Sequence, residues 1–286
     1  MNLTNPKDIK ALLARHGFHF SKSMGQNFLI EDWVPRDIAD AAELDKSCGV
    51  LEIGPGIGPL TVQLAQRAGK VAAVELDRAL LPILAETLAD CPNAQVIPGD
   101  VMKLDLRQLT SEQLPNMPVK ACANLPYNIT TPVITKLLEA GCFLSITVMI
   151  QREVARRICA GPDSPDRGAF SLFCQYHAQC KLLFDVGPEC FLPAPKVTSS
   201  VIQLVPHTRP PVDADPKALF AVVRAAFAQR RKTLLNALSA TYGARFSKGQ
   251  LRQIICDCGL EETVRGERLT LEQFGRLSVF LQSRQI

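Results

Sequence analysis

The stretch Val50-Leu51-Glu52-Ile53-Gly54-Pro55-Gly56-Ile57-Gly58-Pro59-Leu60-Thr61 constrains this chain more than any other. An apolar run of strand length meets three glycines at alternate positions, then passes into a segment, about 60–68, that reads as a helix. Glycine turns the backbone sharply and leaves no Cβ between the main chain and a ligand. A strand, a glycine turn and a helix in that order suit a parallel sheet, whose ligands lie beyond the carboxyl ends of its strands. The spacing Gly-x-Gly-x-Gly departs from the dinucleotide fingerprint Gly-x-Gly-x-x-Gly, so an NAD site stays a rival at this point.

Two later strand ends also carry acids. Residues 70–74 run into Glu75-Leu76-Asp77, and Glu75 lies 21 residues after Gly54, where an acid accepts both ribose hydroxyls of an adenosine. Residues 94–101 end in Gly99-Asp100-Val101, and Asp100 can accept from an adenine amino group. Singly, each acid reads as a solvated strand-end residue or a helix cap. Together with the glycine turn they mark successive strand ends of one sheet. A fourth run, 119–123, closes on Asn124-Leu125-Pro126-Tyr127. Such a turn can grip a flat ring bearing an amino group: Asn124 and the Leu125 or Pro126 carbonyl accept its two N–H bonds while Tyr127 stacks on the ring. Stacking uses the Tyr127 ring and not its hydroxyl.

Strands are expected near 49–53, 70–75, 94–98, 118–123, 145–150, 182–187 and 200–205. The last two, separated by the Pro-rich loop 188–195, are expected to pair as an antiparallel edge. Asn5 should cap a helix from Pro6 to about Arg15, and another should run over 33–44. Beyond Pro206 the strand signals stop. Pro210-Pro211 and residues 213–216 read as a linker, and helices are expected near 216–228, 231–241, 247–258 and 270–283. The chain thus divides into 1–206, opening with a basic segment 1–24, and a helical part 207–286.

A chain of 286 residues, 47% hydrophobic, buries a large core with room for a second small domain. No apolar span approaches membrane length and residues 1–15 carry no signal-peptide core, so a soluble, cytoplasmic protein is expected. The 10 cysteines are scattered, with Cys256-Asp257-Cys258 the only close pair, and 4 histidines form no ligand-spaced set. Buried reduced thiols and no metal are expected. Charge is uneven: residues 207–286 hold 13 Lys and Arg against 7 Asp and Glu, a net of +6, and residues 1–24 hold a net of +3. With +4 overall, the stretch between carries −5. Basic flanks around an acidic body suit a polyanionic partner.

These turns, with Gly25-Gln26-Asn27-Phe28-Leu29, Phe191-Leu192-Pro193-Ala194-Pro195-Lys196-Val197-Thr198-Ser199 and Ala226-Phe227-Ala228-Gln229-Arg230-Arg231-Lys232-Thr233, resemble the small-subunit ribosomal RNA adenine dimethyltransferase family from about Ser21 onward. That family's loop usually reads Phe-x-Pro-Pro-Pro-Lys-Val. Ala194 stands at the middle proline, which loosens the loop while keeping Phe191 and Lys196. The resemblance implies an α/β, doubly wound, class I (Rossmann-like) S-adenosylmethionine methyltransferase sheet with a small all-helical C-terminal domain. It implies dimethylation of the 6-amino nitrogen of two adjacent adenosines in the 3′-terminal hairpin of 16S rRNA, by a monomer acting on a small-subunit ribosomal particle during its biogenesis. Asn27, Leu29, Gly54, Gly56, Glu75, Asp100 and Asn124 would line the S-adenosylmethionine site. Asn124, Leu125, Pro126, Tyr127 and Phe191 would hold the target base, with Phe191 facing Tyr127 across it. Arg230, Arg231 and Lys232 would hold RNA, although a solvated helix face with internal ion pairs is the plainer reading of such a run.

Three other readings compete. A related family methylates one adenine of large-subunit rRNA and shares the core motifs, without the Gln-Arg-Arg-Lys stretch. An NAD oxidoreductase would need a hydride-transfer set near the strand ends, and none is present in the sequence. A non-enzymatic assembly or transcription factor on the same fold would not need an intact Asn-Leu-Pro-Tyr.

Overall fold

A computed structural model of the chain describes residues 1–20, 25–162, 164–229 and 231–284. It forms two compact units, Met1–Ala155 with Cys180–Pro206, and Arg156–Gln179 with His207–Ile286.

The first unit alternates strand and helix. In chain order come α1 (Pro6–Arg15), β1 (Phe28–Leu29), α2 (Trp33–Ala41), β2 (Gly49–Ile53), α3 (Pro59–Arg67), β3 (Lys70–Glu75), α4 (Leu81–Thr87) and β4 (Ala94–Pro98). Then follow α5 (Leu106–Gln113), β5 (Val119–Asn124), α6 (Thr130–Ala140) and β6 (Ile146–Gln151). After α7 (Arg152–Cys159) and α8 (Ala169–His177), the latter part of the second unit, the strands β7 (Ala178–Val186), β8 (Phe191–Leu192) and β9 (Ser199–Pro206) complete the set.

Seven strands form one sheet in the order β4-β3-β2-β5-β6-β9-β7. β2 pairs in parallel with β3 and β5, β3 with β4, and β5 with β6. β9 runs antiparallel to β6, with Met149 opposite Val201. The chain winds outward from β2 to β4, then returns to β5 and winds the other way. The order therefore reverses between β2 and β5, and a crevice opens where the flanking connections diverge. Every residue of β2 is buried, as both faces of a central parallel strand must be.

All seven main strands overlap the spans the sequence gives them, with β7 beginning four residues earlier than 182. The last two are hydrogen-bonded neighbours at one edge of the sheet, as expected, with β9 beside β6 and β7 outermost. The pairing of β1 with β8, Phe28 opposite Leu192 and Leu29 opposite Phe191, has no counterpart in the expectations. It ties the Gly25–Leu29 stretch to the Pro-rich loop.

Asn5 caps α1 by accepting from the Lys7 amide at 2.9 Å, with Pro6 in the first turn. Ile9, Leu12 and Leu13 of α1 bury against Ile83 and Leu84 of α4 and against Phe28, Ile57 and Leu80. Arg15 and His16 both pair with Glu86 on α4, His16 at 2.7 Å. The N-terminal segment is thus built into the core of this unit, and Arg15 already has a carboxylate partner. Lys22, the remaining cation of that segment beyond Lys7 and Lys10, lies outside the described residues.

The second unit is helical: α8, α9 (Pro216–Ala228), α10 (Leu234–Tyr242), α11 (Lys248–Asp257) and α12 (Leu271–Ser283). Leu219, Val222, Leu238, Ile254, Phe274 and Leu277 form its core, joined by Leu172 and Tyr176 of α8. This unit takes up at His207 and also includes 156–179, a stretch inside the span 1–206 that the sequence reading treats as one domain. Arg167, only 2% exposed, donates to the Glu267 carbonyl at 2.9 Å and to that of Leu269, binding the inserted segment to the C-terminal one. Thr233 caps α10, which therefore starts three residues later than 231. Arg231 and Lys232 lie in the turn before it, not on a helix as expected, and Arg230 lies outside the described residues.

Among the described residues, no helix is long and apolar enough to cross a membrane, and no three His, Cys, Asp or Glu gather as metal ligands. All 10 cysteines are free thiols; five are buried, four are partly buried, and Cys256 is exposed.

Candidate active site

The crevice at the sheet's switch point is a cavity with roughly 1200 Å³ of open space, its mouth included. Asn27, Leu29, Gly54, Gly56, Glu75, Asp100, Asn124, Leu125, Pro126, Tyr127 and Phe191 all line it. Residues up to 164 positions apart in the sequence thus share one cavity, brought there by strand ends and by the β1–β8 pair. Arg231 and Lys232, the two described RNA-binding candidates, do not line it.

Cross-strand bonds hold the strand tips level. The Gly54 amide donates to the Val74 carbonyl at 2.9 Å and the Gly99 amide to the Glu75 carbonyl at 2.8 Å. Gly56 has φ 62°, and an added Cβ would meet the Phe28 ring at 3.4 Å. A side chain there would be strained in the backbone and would crowd the wall of the cavity. Glu75 is 6% exposed. Its carboxylate accepts from the amides of Asp77 at 2.8 Å and Gly56 at 3.3 Å, one on each oxygen. Burial pushes its pKa up, and these amides pull it part of the way back. A carboxylate so fixed keeps lone pairs for a pair of hydroxyls. Asp100 is partly exposed and accepts from the Met102 amide at 2.9 Å, which orients it at the turn after β4.

The catalytic candidates sit at the end of β5. Asn124 is its last residue and half-buried. The Leu125 amide donates to the Met149 carbonyl at 3.0 Å, anchoring the turn to β6. The Pro126 carbonyl already accepts from the Ile129 amide and the Thr130 hydroxyl, each at 3.2 Å. No described residue donates to the Leu125 carbonyl. Of the two carbonyls left open by the sequence, that of Leu125 is therefore the free one. The Tyr127 hydroxyl bonds to Ser199 Oγ at 2.7 Å, and burial raises the phenol pKa so that it stays neutral. Phe191 is 3% exposed and packs partly into the core beneath the cavity, so it is a wall more than an open platform.

Several lining residues escaped the sequence reading. Gln26 donates to Asp77 at 2.7 Å, and Gly25 lies close enough that an added Cβ would sit 3.3 Å from Asn128 Oδ1. Residues 25–27 thus span from the tip of β3 to the Asn124 turn. Glu52 is the larger omission. It lines the cavity, is 1% exposed, and its Oε2 has no hydrogen-bond partner among the described residues. Burial drives its pKa from 4.5 to about 8; Thr61 tempers the rise and the Glu75 charge adds to it. Thr61 Oγ1 is near but has no partner of ordinary hydrogen-bond geometry either, so its help is small. The signal was visible as one acid inside a wholly apolar strand.

A doubly wound sheet with an antiparallel strand after β6, a glycine turn after β2, acids after β3 and β4 and Asn-x-Pro-Tyr after β5 is a Rossmann-like methyltransferase of class I. The chain belongs to the ribosomal RNA adenine dimethylase family, whose model matches residues 17–282. It is 46% identical over 278 residues to the ribosomal RNA small subunit methyltransferase A of Alkaliphilus oremlandii, covering 96% of each chain. It is 45% identical to the protein of the same name from Clostridium perfringens, covering 97% of each. Among solved structures, the 23S rRNA methyltransferase ErmE superposes with a TM-score of 0.68 at 26% identity, over 90% of this chain and 100% of that one. A dimethyladenosine transferase from Plasmodium falciparum superposes at 0.73 with 23% identity, over 90% and 98%. The latter likeness speaks for the fold.

Proposed function

We propose that this protein transfers methyl groups from S-adenosylmethionine to the exocyclic 6-amino nitrogens of two adjacent adenosines in the 3′-terminal hairpin of 16S rRNA, dimethylating each. One observation carries the reading. An amide acceptor, a free carbonyl and an aromatic ring at the Asn124 turn share a single cavity with the buried acid after β3. The higher identity to small-subunit relatives favours this substrate over large-subunit rRNA.

The residues fit the donor. Gly54 and Gly56 offer main chain without side chains, Glu75 offers a held carboxylate for ribose hydroxyls, and Asp100 an acceptor for an amino group. The orphan oxygen of Glu52 suits a ligand that carries positive charge. S-adenosylmethionine supplies an activated methyl group on a sulfonium. What the chain must then do is position. An adenine amino nitrogen is a poor nucleophile because its lone pair is delocalised into the ring. Asn124 Oδ1 and the Leu125 carbonyl accept its two hydrogens, which favours a pyramidal nitrogen with its lone pair aimed along the line of attack. Tyr127 holds the plane of a base taken out of its stack, and Phe191 walls the cavity that receives it. Neither a metal nor a nucleophilic cysteine enters these steps.

Arg231 and Lys232, with Arg230, extend the reading to RNA capture. Both described residues are exposed and, among the described residues, have no ion-pair partner. Two other cations of that unit are taken: Arg284 pairs with Asp257 at 2.6 Å and Arg252 with Glu262 at 3.0 Å. The test is incubation with labelled S-adenosylmethionine and either unmethylated small or unmethylated large subunits. Label in the small subunit alone supports the proposal, and label in the large subunit alone overturns it.

A further inference from the structure

We infer that Ser199 is a positioning residue for this reaction: its buried hydroxyl holds the Tyr127 ring in the plane that receives the target base. The inference rests on the function proposed above and names a residue that neither the turn motif nor the cavity lining includes.

Tyr127 opens a short 3-10 turn, Tyr127–Ile129, with no side-chain cap at its start. Among the described residues its ring packs against no other aromatic ring. A half-buried ring on a turn keeps two side-chain torsions to be fixed, and only its hydroxyl has a partner, Ser199 Oγ at 2.7 Å. That partner is itself immobile. Ser199 is fully buried and opens β9 opposite Gln151 of β6. The Arg152 amide donates to the preceding carbonyl, Thr198, at 3.0 Å. The next residue, Ser200, points to the other face of the strand and donates to Asp185, which Arg152 approaches at 3.8 Å. Both residues at the start of β9 are therefore pinned, and Ser199 spends its hydroxyl on Tyr127. A buried serine hydroxyl that served only the strand would need a backbone partner instead. The phenol, held neutral by burial, can donate or accept in this bond.

The consequence reverses an expectation from the sequence. Tyr127→Phe keeps the stacking surface yet frees the ring, so it is not a silent change. The full chain is assayed on unmethylated small subunits as Tyr127→Phe, Ser199→Ala and the double variant, with S-adenosylmethionine affinity measured by calorimetry and the melting temperature by scanning. Each single variant should lower kcat roughly 3–10-fold, the range one hydrogen bond controls. Cofactor affinity should be unchanged, and the double variant should be no slower than the worse single one, because both remove the same bond. Losses that multiply in the double variant, or single variants at the wild-type kcat, overturn the inference while leaving the proposed function standing. A wild-type protein that labels neither subunit overturns both.

Discussion

Replacing Glu52 by Gln isolates the cost of keeping an acid inside the sheet. In the folded protein this carboxyl titrates at about 8, whereas in the unfolded chain it titrates near 4.5. Between those values the folded state keeps a proton that the unfolded state has lost, so stability falls by about 1.4 kcal/mol per pH unit. The contribution is complete below 4.5 and is lost as pH rises to about 8, roughly 4–5 kcal/mol across the window. Glutamine has the shape of the protonated acid and does not titrate. The assay is denaturant unfolding of wild type and variant from pH 5 to 8.5, followed by fluorescence of Trp33. That residue is the single tryptophan and sits on α2, so it reports the first unit without mixing in the second. Subtracting one profile from the other cancels every other titrating group. The variant should gain on wild type by about 1.4 kcal/mol per pH unit up to about pH 8 and then level off. A difference that stays constant with pH would show that Glu52 is not held neutral in the folded protein.

Further outcomes follow from the same geometry. Glu75→Ala removes the fixed acceptor of two hydroxyls and should weaken S-adenosylmethionine binding by roughly 1.5–3 kcal/mol in calorimetry; unchanged affinity in a folded variant would make Glu75 a structural acid only. Asn124→Ala should abolish most turnover with cofactor affinity near wild type, and Tyr127→Ala should be more damaging than Tyr127→Phe; equal rates for the two Tyr127 variants would remove the stacking role. Alanine at Arg230, Arg231 and Lys232 together should weaken binding to the small subunit and flatten its dependence on salt, since each phosphate contact releases counterions. Identical salt slopes for that triple variant and wild type would assign the three cations to the fold.

What the sequence revealed and what it hid follow from the range of the interactions involved. The glycine turn, the acids after β3 and β4 and the Asn124 turn are local patterns, because each pairs a strand end with the residues next to it. That logic also places the seven main strands, since strand and helix periods differ within a few residues. The pairing of Leu29 with Phe191 joins strands of two residues each across the whole unit, too short for any periodic signal. The assignment of 156–179 to the helical unit is equally invisible, because an amphipathic helix reads the same whichever core it serves. Arg167, a charged residue that sequence logic puts outside, is what fastens that segment. In the cavity, Glu75, Asp100 and Asn124 were legible as polar residues at strand ends, and Asn27 only through the resemblance. Glu52 was read as part of a strand, and Ser199 as part of a loop motif, because their roles depend on what faces them across the sheet.

The central claim is a position on an RNA, and nucleotide-resolution mapping tests it most directly. Unmethylated small subunits are incubated with the protein and S-adenosylmethionine, and the 3′-terminal fragment of 16S rRNA is then analysed by mass spectrometry. The account predicts two adjacent adenosines, each carrying two methyl groups on its 6-amino nitrogen, and neither in the Asn124→Ala variant. Methylation confined to another nucleotide, or to a ring nitrogen or ribose, would contradict it.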